Sequence, residues 1–270
     1  MIIDGHVHAA GDFADPLTLK KALDKLGIDK LVLCPSLKNN TDLATPESIS
    51  LPFIRPADKY FLFNRLCKFS YKVLINDQSD GNAFVDGLRC QLPERIIQFY
   101  WLDPMDENAL PVLENALDLY LVHGIKLHQA CETFTNNSPQ MNLVADFAAA
   151  HQLPVFIHPY TKPEVVKLIE LARSHPKTNF IIAHFIGLEI VAEHARNLTN
   201  IYYDISGGDV ITPERLSFGI HSFGADHIIF GSDEPFGDMA FSLSRVYDLD
   251  IPATEKDLIL GKNLSSLLGN

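Results

Sequence analysis

Basic charge is scarce in this chain. Over 270 residues, 22 Lys and Arg face 34 Asp and Glu, a formal net charge of −12. A nucleic-acid partner needs a cationic face to neutralise phosphates, so none is expected. Long apolar runs are missing too: nothing approaches the roughly 20 residues of a membrane span, and no membrane partner is expected. Asp4, His6 and His8 interrupt the opening residues, which therefore do not read as a secretory signal. Cysteine is limited to Cys34, Cys67, Cys90 and Cys131, with no CxxC spacing. A dispersed set of this kind reads as reduced core thiols in a cytoplasmic protein. Cys131, shortly after Lys126 and His128, is the one to watch for reactivity. No internal repeat and no low-complexity tract is present.

What the chain does have is regular alternation. Eight apolar segments follow one another at 2–7, 30–35, 95–102, 124–128, 154–159, 179–184, 200–205 and 227–232. Continuous apolar runs of this kind predict strands buried on both faces, as in a parallel sheet. Helical spacing fills most of the intervals. Leu17, Leu19, Ala22, Leu23 and Leu26 mark a helix over 16–26 that stops at Gly27. Further helices are expected over 108–122, 138–151, 163–175, 187–197 and 213–224. A last one runs from Thr254, as N-cap, to Leu268. Alternating strands and helices on this scale predict a (β/α)8 TIM barrel in one domain, 1–270. The rival, an open doubly wound sheet, usually carries a glycine-rich turn after its first strand. Here that strand ends in Asp4-Gly5-His6-Val7-His8.

One stretch breaks the rhythm. Residues 37–94 contain Thr45-Pro46, Leu51-Pro52 and Arg55-Pro56, and the rings Tyr60, Phe61, Phe63, Phe69 and Tyr71. A segment this long between strands two and three is usually functional or disordered. Its rings need burial, so a lid over the barrel mouth or a subunit interface is expected.

The strand ends carry the chemistry. In an extended strand, side chains i and i+2 share a side, so His6 and His8 project together, as do Lys126 and His128. Pro154-Val155-Phe156-Ile157-His158, Phe180-Ile181-Ile182-Ala183-His184 and Ile228-Ile229-Phe230-Gly231-Ser232-Asp233 each end an apolar run on a residue able to bind metal or move protons. The carboxyl ends of barrel strands are where such residues act. His6 and His8 could otherwise be a satisfied pair of core histidines.

Together, these motifs resemble the amidohydrolase-related metal-dependent hydrolases, and most closely the amidohydrolase 2 branch, which includes non-oxidative decarboxylases. The same likeness extends to Ala183-His184-Phe185-Ile186-Gly187, to Gly231-Ser232-Asp233-Glu234-Pro235-Phe236-Gly237, to Pro93-Glu94-Arg95 and to the ending Gly261–Gly269. It spans nearly the whole chain and is weakest over 37–92.

The resemblance implies a divalent metal held by His6, His8, His158 and Asp233. Three imidazoles and one carboxylate suit zinc, and an ion of this kind acidifies a bound water to a pKa of about 7. Asp233 and His184 would be the catalytic pair, Asp233 accepting the water's proton and His184 orienting the water or polarising a carbonyl. One ion is favoured. A second would require a carboxylated Lys126, which otherwise grips a substrate carboxylate or forms a plain ion pair. His128 is expected to hydrogen-bond in the pocket. Asp204 divides between supporting the site and capping. Trp101 reads as pocket lining or core, and Glu234 as pointing away from Asp233. His123, His151, His175, His194, His221 and His227 fall in or beside expected helices and read as solvated.

The expected activity is hydrolysis at a carbonyl carbon of a small anionic molecule of lactone or amide type. The alternative is a carboxy-lyase using the same ligands. A related metal-dependent deoxyribonuclease would place glutamate where Lys126 stands, and the charge disfavours DNA. A non-enzymatic metal scaffold is the remaining class. A homodimer is an option the resemblance brings, although no residue in the sequence shows it.

Overall fold

The computed structural model describes residues 1–36, 53–74 and 78–269, with the side chains of 66–74, 78, 79 and 209 outside that description. Its strands are β1 (Ile3–His8), β2 (Lys30–Cys34), β3 (Ile96–Trp101), β4 (Val122–His128), β5 (Val155–His158), β6 (Phe180–Ile182), β7 (Ile201–Asp204) and β8 (Ile228–Ile229). They pair in sequence order, each neighbour parallel. Backbone bonds then join the last strand to the first: Gly5 N–H donates to Phe230 O and Asp233 N–H to His6 O, both at 2.8 Å. The result is a (β/α)8 TIM barrel.

Helices α1 (Pro16–Leu26), α2 (Pro56–Leu74), α3 (Gln78–Gln91), α4 (Ala109–Leu119), α5 (Pro139–His151), α6 (Lys162–Ser174), α7 (Leu188–His194), α8 (Pro213–Phe223) and α9 (Met239–Tyr247) surround it. Local chemistry sets their ends. Asp15 caps α1 by accepting from the N–H groups of Leu17 and Thr18, and Gly27 ends it at φ 67. Thr212 caps α8 through the N–H of Arg215. Strand side chains alternate between two apolar layers. One lies between barrel and helices, and the other fills the barrel interior with Ile3, Val32, Ile97, Phe99, Phe156, Ile181 and Ile229. Each such side chain contributes about 1.5–3 kcal/mol by leaving water. With the lower interior packed, polar groups at the carboxyl ends of the strands are the ones left to face a mouth.

Several expectations need correction. The irregular stretch contains two helices, α2 and α3; its part over 37–52, its residues 75–77 and the side chains of Phe69 and Tyr71 lie outside the described residues. Helix α9 is additional to the expected set; its nine residues bury only the short apolar spacing Met239, Leu243, Val246. The closing helix is broken into α10 (Ala253–Asp257), a π turn (Leu258–Lys262) and α11 (Asn263–Leu267), with Pro252 rather than Thr254 at the cap position. The break falls at Gly261, where a Cβ would lie 2.6 Å from Met1 O, so close passage of the N-terminal strand needs glycine. His123 is in β4, not a helix, and His227 precedes β8, its Nδ1 donating to Ile201 O at 2.8 Å. Cys90 is exposed rather than in the core. No helix among the described residues is long and apolar enough to cross a membrane.

A candidate metal centre at the barrel mouth

Alternation along β1 puts His6 and His8 on one side, with their Nε2 atoms 3.2 Å apart. Asp233, beyond β8, joins them. Its Oδ1 lies 3.5 Å from each of those nitrogens, and its Oδ2 lies 3.9 Å from His184 Nε2. Asp233 and His184 both adopt left-handed backbone, at φ 65 and φ 55. Non-glycine residues pay about 1 kcal/mol or more for that conformation and cluster at functional sites. Here hydrogen bonds hold them: Asp233 N–H to His6 O at 2.8 Å, and His184 N–H to Asp204 Oδ2 at 3.1 Å.

Acceptors behind the rings fix their tautomers. His8 Nδ1 lies 2.8 Å from Pro35 O, and His184 Nδ1 lies 3.2 Å from Ser206 O. Carbonyl oxygens only accept, so both Nδ1 atoms carry hydrogen. His6 Nδ1 faces Asp204 Oδ2 at 3.2 Å and Ser206 Oγ at 3.0 Å, which assigns its hydrogen to the same side. The Ser206 hydroxyl itself donates to Asp204 Oδ2 and accepts from His184 Nδ1 at 2.9 Å. The Nε2 atoms of the three rings therefore face the Asp233 carboxylate. Second-sphere acceptors of this kind are typical of metal-ligating histidine. Donors at about 2.1 Å from a tetrahedral ion lie about 3.4 Å from each other, and the spacings of 3.2 and 3.5 Å match that. The donor set fits a divalent cation.

Burial shapes the charges. It lowers His6, His128 and His158 well below the ordinary imidazole value, and lowers His184 against the opposing pull of Asp233 and Asp204. His8 goes the other way, to about 10: burial opposes its charge, but Cys34 and Asp233 outweigh it. Burial would raise Asp233, yet the neighbouring His184, His6 and His8 hold it well below the usual carboxylate range. Asp4 is pushed up to about 8 by burial, despite accepting from the N–H groups of His6 and Ser232.

Lys126 and His128 rise from β4. Lys126 Nζ lies 2.7 Å from His6 Nε2 and 4.2 Å over the Phe156 ring. No carboxylate among the described residues is within ion-pair distance of it. Register pairs His128 with His158 across β4 and β5, and their rings stack at 4.0 Å and 11°. His158 also meets His184 edge-on at 5.0 Å, and its buried Nδ1 has no hydrogen-bond partner among the described residues. Ligand atoms of His6, His184 and Asp233 fall within 4.8 Å of one another, as do those of His6, His8 and Cys34. His158 belongs to neither of these groups. Asp204 sits behind His6 and His184, and its Oδ1 also accepts from Ser206 N–H at 3.1 Å. Glu234 turns away from the centre and accepts from Met239 N–H at 2.9 Å.

Four neighbours had no role assigned to them individually. Cys34 pairs in register with His8 and has its Sγ 3.4 Å from His8 Nδ1, so it, and not the inert Cys131, is the thiol at the site. Burial alone would raise the Cys34 thiol, but His8 and Lys126 lower it, whereas burial and Glu132 push Cys131 far up. Ser206 stands at i+2 from Asp204, a spacing that could have signalled it. Glu132 accepts from Trp101 Nε1 at 2.9 Å beneath His128, and burial pushes it up to about 8. Tyr60 of α2 stacks on His184 at 4.4 Å and 15°.

Similar proteins have the same architecture. The structure of 2,6-dihydroxybenzoate decarboxylase from Rhizobium superposes with a TM-score of 0.69 at 15% identity, covering 99% of this chain and 98% of that one. Dihydroxybenzoic acid decarboxylase from Polaromonas sp. JS666, holding manganese and 2-nitroresorcinol, gives 0.69 at 16%, covering 99% and 96%. 4-Oxalomesaconate hydratase from Rhodopseudomonas palustris gives 0.69 at 15%, covering 100% and 96%. No curated protein matches the sequence. The family model described as Amidohydrolase matches residues 72–268, which include Lys126, His158, His184, Asp204 and Asp233 but not the opening histidines. The chain belongs to the amidohydrolase family, in its amidohydrolase 2 branch.

Proposed function

We propose that this protein is a metal-dependent hydrolase that attacks a carbonyl carbon in a small anionic substrate of lactone or amide type. The observation that carries the reading is the convergence of His6 Nε2, His8 Nε2 and Asp233 Oδ1 within 3.5 Å of one another, next to Lys126 Nζ. His6, His8 and Asp233 would hold one ion, with His158 as a further ligand. Zinc suits the nitrogen-rich set, while the Polaromonas relative makes manganese the second ion to test. Such a cation supplies Lewis acidity and an acidified water. Asp233 takes the proton of the attacking water and returns it to the leaving oxygen or nitrogen, while His184, its Nε2 facing Asp233 Oδ2, orients the water or polarises the carbonyl. Lys126 binds the substrate's anionic group.

A second reading, a carboxy-lyase, is favoured by the decarboxylases among the similar structures. There Lys126 holds the carboxylate, and His184 delivers the proton that replaces CO2. Protein loaded with Zn2+ or Mn2+ is incubated with lactones, amides and hydroxybenzoates, including 2,6-dihydroxybenzoate, in H218O. Hydrolysis puts 18O in the product and releases no CO2, whereas decarboxylation releases CO2 and leaves the carbon product unlabelled. Turnover that metal-free protein matches would reject both readings.

A further inference from the structure

The geometry points to Tyr60 as the residue that controls access to His184 and His158: its ring lies flat on the first and turns its edge to the second. The inference rests on taking this mouth as the reaction site. Each candidate group is withdrawn from water, with His184 at 2%, His158 at 4% and the Asp233 side chain at 15% exposure. Tyr60 is not part of the barrel. It comes from α2 and lies flat on His184, while presenting its edge to His158 at 5.7 Å and 80°. One residue thus covers the two imidazoles that border the nest on its outer side.

The seat is built from three segments. On the helix side, Asn64 Nδ2 donates to Pro159 O at 3.1 Å and Tyr160 O at 3.3 Å, directly beyond His158. Asp58 pairs with Lys162 at 2.6 Å, and the Lys162 amine sits over buried Phe61. These contacts dock the first half of α2 onto the β5–α6 loop. On the opposite side, Gly207 leaves room for the ring: a Cβ there would lie 2.5 Å from the Tyr60 hydroxyl oxygen and 3.1 Å from His184 Nδ1. Its φ of 107 is also a conformation that L side chains rarely adopt. Gly207 therefore leaves the ring its place against His184.

Diethyl pyrocarbonate, a small electrophile that acylates accessible neutral imidazole, measures the access directly in metal-free protein without substrate. Failure of the metal reading therefore leaves this test intact. Peptide mass spectrometry follows the rates at His184 and His158. Exposed His194 serves as the reactive standard, and His227, at the opposite end of the barrel, reports global opening. Tyr60→Ala is expected to speed modification of His184 and His158 about 3- to 10-fold, the shift released by losing one aromatic pair. Gly207→Ala, which spoils the seat from the other side, is expected to resemble Tyr60→Ala. An unchanged His184 rate in both Tyr60→Ala and Gly207→Ala overturns the inference. So does an equal acceleration at His227.

Discussion

Replacing Asp204 by Asn tests the support of the centre without changing its volume. Asp204 is fully buried and accepts from four donors: His6 Nδ1–H, His184 N–H and the Ser206 hydroxyl at Oδ2, and Ser206 N–H at Oδ1. Asparagine has one acceptor oxygen. Placed in the Oδ2 seat it keeps three of these bonds, but its NH2 then faces Ser206 N–H, donor against donor. A buried donor left without an acceptor costs about 1–3 kcal/mol, and the three surviving bonds lose the charge that roughly doubles their strength. The sum is about 2–4 kcal/mol of stability. The oxygen behind His6 also loses its charge, for which about 10- to 100-fold weaker metal binding is expected. Urea unfolding of metal-free protein reads the first number and competition with a chelator reads the second. An Asp204→Asn protein within about 0.5 kcal/mol of the parent, the scatter of an ordinary surface change, and with unaltered ion affinity would refute the assignment of Asp204 as the hub.

Loading with Zn2+ or Mn2+ is expected to raise the unfolding free energy by about 2.7 kcal/mol at an ion concentration 100 times Kd; identical thermal midpoints with and without ion in excess would contradict a site formed only in the fold. Lys126→Met keeps the buried stem but removes Nζ, so KM for an anionic substrate is expected to rise more than kcat falls, and a kcat loss alone would assign Lys126 elsewhere. Glu132 offers a pH test. Burial lifts its acid from 4.5 to about 8, so between those values the folded state holds a proton that the unfolded chain releases. Stability from this group is therefore full below about 4.5 and is lost as pH rises toward 8, by a few kcal/mol. Glu132→Gln, still able to accept from Trp101 Nε1–H, is expected to flatten that decline in urea midpoints measured from pH 5 to 9, and an unchanged slope would count against it.

How much of this could be read in advance follows from the range of each interaction. The barrel was legible because strand and helix periods are local, and because eight apolar runs in series admit few arrangements. His6 with His8, and His128 with Lys126, were legible for the same reason: alternation fixes the side a residue faces. Cross-strand relations were not. That Cys34 stands beside His8 follows from register between β1 and β2, and nothing within either strand sets that register. Ser206 lies at strand spacing from Asp204, yet its role depends on His6 and His184 arriving from strands far away in sequence. Tyr60 was legible only as one of five rings in an expected lid or interface. Its helix belongs to the stretch with weakest family likeness, and its partner His184 comes from a strand end far away in sequence. The pattern has a physical consequence. The chemistry-bearing residues occupy strand ends, where the repeating architecture dictates geometry, whereas the group that covers them belongs to an element outside the repeat. Such an element can change without disturbing the barrel, so selectivity can vary while the nest of His6, His8 and Asp233 stays fixed, and Tyr60 is where that variation would act first.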